Sequence, residues 1–121
     1  MTDSILNTIK KMLGISTTDS AFDMDIIVNI NSAFMVLHQL GVGPELAPYS
    51  IEDNTSTWAD FLTDSVYYSA VKTYVYLKVK QVFDPPGTSF HGDAIARQIS
   101  EWEWRLAAQV PYLPEPEEPT P

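Results

Sequence analysis

A chain of 121 residues with 45% apolar and 19% charged side chains has the length and composition of one globular domain. Its formal net charge of −9 argues against a protein that grips nucleic acid, because affinity for phosphate comes from Lys and Arg. The absence of cysteine excludes disulfides and thiolate metal sites, and no stretch approaches the roughly 18 consecutive apolar residues of a membrane span.

The opening stretch, "MTDSILNTIKKMLG", has an acidic residue at position 3 and no small-residue cleavage site, unlike a signal peptide. It reads as a short helix. Asp3 or Ser4 can cap it, Ile5, Leu6, Ile9, Met12 and Leu13 form its apolar stripe, and Gly14 stops it. After the polar "STTDS", a longer helix is expected over residues 22–40. Asp23 and Asp25 sit in its first turn, where the helix dipole favours negative charge. Ile26, Ile27, Ile30, Phe34, Leu37 and Leu40 recur at three- and four-residue spacing, and Gly41 ends the run. Asn29, Asn31 and Ser32 are unusual in a helix middle and are either solvated or bonded across an interface.

"GVGPELAPYSIEDNTST" is broken by glycine and proline, so it forms a long connection, in which "YSI" can make a short β segment. Loops of this length in a small domain are often functional, so Val42, Pro44, Tyr49 and Ile51 are candidate contacts with a neighbouring subunit or another partner. "STWADFL" restarts a short helix behind a Ser56 or Thr57 cap. The next helix is expected over residues 64–83. Val71, Tyr74, Val75, Val82 and the Lys78 stem cover one side, Val66, Ala70 and Leu77 another, and Tyr76 and Phe83 lie further round. A helix apolar on most sides is central, or is shared with a neighbour. "DPPG" ends it.

The last helix is expected over residues 90–110 and contains "ISEWEWRL". Ile95, Ile99, Trp102 and Leu106 form an inward stripe. Two helical residues apart is a turn of about 200°, so Trp104 points outward, with Arg97, Glu101 and Ala108. Arg97 and Glu101 can pair across one turn. Expected core residues are Ile30, Phe34, Leu37, Val71, Val75, Ile95, Ile99 and Trp102. The fold class is all-α: a bundle of four main helices and one short helix over residues 1–110, followed by an extended acidic, Pro-rich tail over residues 111–121. In that tail, "PYLPEPEEPTP", Tyr112 and Leu113 are candidate docking side chains.

Nothing here forms a catalytic pattern, and no catalytic, cofactor-binding or metal-binding residue is assigned. His38 and His91 are far apart and lack a second ligand at metal spacing. "GVG" has no preceding strand and no following Lys-Ser/Thr, so it is not a phosphate loop. Glu101 and Glu103 diverge on their helix. Asp23, Asp25 and Asp60 are helix-start charges. Lys72, Lys78 and Lys80 point about 240°, 120° and 320° around the axis, counted from Val66, and make no basic stripe for DNA. An exposed tryptophan, an over-apolar helix, a long Pro/Gly loop and an aromatic-bearing tail together point to a subunit of an assembly.

The stretches "IKKMLGI", "FDMDIIVNINSAFMVLHQLGVGP", "TWADFL", "VKTYVYLKVKQVFDPP" and "ISEWEWRL" resemble the small helical head–tail connector (head-completion, or adaptor) proteins of long-tailed bacteriophages. "INSAFMVLHQLGVGP" and "YLKVKQVFDPP" are the specific parts. The resemblance implies a structural virion protein at the neck, made in the host cytoplasm. It implies a homo-oligomeric ring, typically of twelve copies, beneath the portal protein. Such a ring extends the DNA channel and offers a docking surface to the next neck or tail-completion protein. DNA would pass without sequence-specific binding, with no cofactor and no membrane. The alternative reading is a small helical protein-binding or regulatory module acting as a dimer in the cytoplasm.

Overall fold

The computed structural model describes residues 4–44, 47–61, 68–83 and 89–109. Among the described residues five helices follow in chain order: α1 (Ile5–Met12), α2 (Asp23–Gln39), α3 (Trp58–Phe61), α4 (Tyr68–Phe83) and α5 (Ser89–Gln109). The described residues contain no β-strand, and the fold is the small all-α bundle expected. The start of the fourth helix before residue 68, the "DPPG" stop and the tail lie outside the described residues.

Local chemistry sets the helix ends. Ser4 caps α1, its Oγ accepting from the Asn7 N–H at 3.2 Å. Gly14 and Gly41, both at positive φ, close α1 and α2 in the same way. After α2 the Gly41 N–H donates to His38 O, and the Val42 N–H donates to Leu37 O. After α1 the Gly14 and Ile15 N–H groups donate to Lys11 O and Lys10 O. This pair of hydrogen bonds satisfies orphan carbonyls and folds the residue after glycine back onto the helix. At α3, the Thr57 N–H donates to Asp60 Oδ2 at 2.9 Å, half of a capping box.

α4 is the central helix, as its apolar surround implies: it packs against α1, α2 and α5. Val71, Tyr74, Val75, Leu77 and Val79 are buried on it. Val82 departs from expectation. It continues the inward stripe in register, but it lies in the last turn, where no described element covers it, and is 64% exposed. Ile26, Ile30, Ala33, Phe34 and Leu37 of α2 and Ile5, Leu6 and Ile9 of α1 complete the middle of the core, with Ile99 and Leu106 from α5. Ile95 and Trp102 pack against this core but remain half-buried. At 100° per residue Trp102 lies about 60° from Ile99, at the edge of the stripe rather than its centre.

Two polar devices tie the elements together. Lys10 is only 1% exposed. Its ammonium donates to Thr17 O at 3.3 Å and Asp19 O at 2.6 Å, and meets Asp23 Oδ1 at 2.7 Å, closing the α1–α2 connection. A buried ammonium is tolerated only when paired and hydrogen-bonded in this manner. Trp58 is fully buried; its Nε1–H donates to Thr8 Oγ1 at 3.1 Å, and that hydroxyl donates to Ser4 O at 2.7 Å. The Lys72 ammonium lies 5.7 Å from the Trp58 ring centroid.

Candidate assembly surface

Tyr74 ties α5 to α4. It is fully buried on α4, and its hydroxyl donates to Glu103 Oε2 at 2.7 Å. Burial, with the Glu103 carboxylate bonded beside it, pushes the Tyr74 phenol well above its ordinary value. Glu103 is thereby held toward α4, and the following residue, Trp104, faces outward at 72% exposure. Arg97, Glu101 and Ala108 are exposed with it. The pairing on this face differs from expectation: Glu101 Oε1 accepts from Arg105 at 2.6 Å, not from Arg97. Glutamate on the N-terminal side of its cation is the better helical orientation, and the Arg105 guanidinium also lies 5.8 Å from the Trp102 ring centroid.

The loop candidates divide. Val42 and Ile51 are each 2% exposed and belong to the chain's own core, so their side chains have no outward face. The helix-end motif turns Val42 inward beside Leu37. Asn31 turns Ile51 inward: its side-chain amide donates to Ile51 O at 3.0 Å and its Oδ1 accepts from the Ile51 N–H at 2.8 Å. That clamp also occupies both backbone groups a β ladder would use, so residues 49–51 form no strand. The isolated antiparallel bridge joins Ser4 and Thr57 instead. Tyr49 is half-buried, with its ring 5.4 Å from Phe34 and 5.5 Å from Phe61. Pro44 is exposed, its carbonyl 3.2 Å from His38 Nδ1. Tyr112 and Leu113 lie outside the described residues. Asn29 and Ser32 bond back to Asp25 O and Val28 O within α2, so of the three polar residues only Asn31 reaches another segment.

A second outward surface was not legible as such. Met24, Val28 and Met35 are exposed along the side of α2 opposite its buried stripe. A groove of about 500 Å³ opens between the first turns of α2 and residues 52–54. Its apolar walls are Leu6, Met24, Ile27 and Val28, and Asp23, Glu52 and Asp53 rim it. The signal was present in the sequence: Met24, Val28 and Met35 share a face at four- and seven-residue spacing, off the core stripe.

Exposed aromatic and apolar side chains stand on two outer helix faces, α2 and α5, and such faces suit contact with other proteins. Compared with known protein families, residues 5–112 match the phage connector protein family, and the chain belongs to it. Its role is that of a structural phage connector, assembling with other head and tail proteins. No curated protein and no solved structure matches the chain. No helix among the described residues is long and apolar enough to cross a membrane.

Proposed function

We propose that this chain forms a ring beneath the portal at the exit of the DNA-filled head, where it extends the DNA channel and joins head to tail without catalysing a reaction. The observation that carries the reading is Trp104, a tryptophan left 72% exposed on a helix of a phage connector protein. Tryptophan concentrates at the buried centres of interfaces, and a joint between neighbouring subunits recurs around a ring. The net charge of −9 supports passage of DNA, because an acidic wall repels phosphate where a basic one would hold it. Twelve copies is the expected number, with the portal on one side and a neck or tail-completion protein on the other. Tyr112 and Leu113 dock on the portal or on an adjacent subunit, helped by prolines that already restrict the tail and so lower the entropy lost on docking.

The deciding experiment is quantitation of this protein against the portal in purified particles, with electron microscopy of the neck. A ring of about a dozen copies at the head–tail joint is expected. Absence from particles, with a cytoplasmic dimer in its place, would support a regulatory module instead. Ending the chain at Val110 should reduce infectivity while leaving the helical circular dichroism signal of the bundle unchanged; undiminished infectivity removes the docking role of the tail.

A further inference from the structure

Two uncovered surfaces of this chain complement each other. The first is a projection: Trp104, flanked on α5 by exposed Arg97 and by Arg105. The second is the α2 groove, with its walls of Leu6, Met24, Ile27 and Val28 and its rim carboxylates Glu52 and Asp53. We propose that Trp104 of one copy seats in the α2 groove of the next, with Arg97 facing Glu52 and Asp53. The proposal rests on the ring reading above and assigns its joint to named residues.

Size, polarity, charge and topology converge on a second copy as the occupant. A groove of about 500 Å³ falls in the range that takes a drug-sized ligand, and so has room for one indole with its neighbours. Met24, 78% exposed, and Val28 supply adaptable apolar walls for an aromatic ring. Arg97 and the groove rim are opposite in sign. Asp23 already meets Lys10, which leaves Glu52 and Asp53 as the rim's outward charges. On the projection, Glu101 and Arg105 satisfy each other, and Arg97 remains, with exposed Asp93 one turn before it on the same face. The same charges disfavour the chain's own tail as occupant, since Glu115, Glu117 and Glu118 would meet a like-signed rim. Projection and groove lie on α5 and α2, two helices that each pack on α4. A contact between two unlike surfaces repeats from copy to copy and closes into a ring when the rotation allows, whereas Trp104 against Trp104 would stop at a dimer.

Because the chain has no cysteine, single cysteines report the joint directly. Asn54→Cys marks the groove rim and Ala108→Cys, one turn beyond Trp104, marks the projection; both positions are exposed. The two full-length variants, one tagged, are mixed at high concentration and also co-assembled into particles, then oxidised. The mixed disulfide should exceed either like-with-like product by roughly tenfold, and Trp104→Ala should weaken the association roughly 30-fold. Glu52→Arg with Asp53→Arg should also lose the cross-link, and adding Arg97→Glu should restore part of it. Oligomers that form without the mixed cross-link overturn this pairing alone. Cross-linking of Ala108→Cys only to itself, or only to a different virion protein, overturns it in favour of a dimer face or a heterologous partner. Absence of any oligomer, in solution and in particles alike, overturns the ring reading and the pairing together.

Discussion

Gly43 sits at φ +95, and a Cβ built there would lie 2.6 Å from Phe61 Cε1. Phe61 cannot swing away, because its ring stacks on Phe34 at 4.6 Å and both are buried. Gly43→Ala should therefore cost about 2–4 kcal/mol, from a left-handed backbone plus overpacking. Gly14, at φ +81 with nothing within 4 Å, is the control; Gly14→Ala should cost only the backbone part, about 1–2 kcal/mol. Urea denaturation of both variants measures the difference. At Tyr74 the consequence is alkaline. The folded phenol holds its proton above the ordinary value of 10.0, whereas the unfolded chain releases it there. The unfolded state then binds fewer protons than the native state, so stability falls as pH rises beyond about 10. Tyr74→Phe should flatten that part of the pH–stability curve, while costing about 1 kcal/mol at neutral pH through the lost bond to Glu103.

At the scale of elements, the 41–57 connection is part of the core that α2 organises. Asn31 satisfies both backbone groups of Ile51, and Tyr49 and Phe61 lie against Phe34. Asn31→Ala would leave a buried N–H and C=O unsatisfied, for which about 2–3 kcal/mol is expected, read as a lower thermal midpoint. Replacing the whole loop by Gly/Ser linker would remove Val42 and Ile51 from the core, so it would lower stability as well as any assembly function. The α1–α2 connection depends in the same way on Lys10. Its position one turn after Leu6 put it on the edge of the buried stripe, but the three oxygens that receive its ammonium come from residues 17, 19 and 23.

For the whole molecule, the two tryptophans of α5 separate stability from assembly. Trp102→Ala should lower the stability of the isolated subunit by about 1–3 kcal/mol, less than a fully buried ring would, since Trp102 is half-buried under Arg105. Trp104→Ala should change the thermal midpoint of the isolated subunit little and reduce incorporation into particles. Thermal unfolding and particle composition, measured on both variants, check the pair; equal destabilisation would mean that Trp104 contributes to the subunit's own core.

Sequence alone determined what is local. A Ser4 cap and the glycines at 14 and 41 bounded α1 and α2, apolar spacing placed α4 and α5, and the 100° step per residue separated Trp104 from the stripe of Ile99 and Leu106. Motifs spread along the chain carried the resemblance to phage connectors, and the family match agrees with it. Tertiary structure decided which apolar residues find cover. Periodicity placed Val82 and Val75 on one stripe, yet Val75 is buried and Val82 is not, because coverage depends on where another helix ends. Val42 and Ile51 were expected to face a neighbour and are instead the chain's own core. The cause for Ile51 is a clamp from Asn31, 20 residues away, and Trp58 is held by Thr8, 50 residues away. Contacts across such separations are set by the packing of whole elements, and no window of sequence as short as a helix records them.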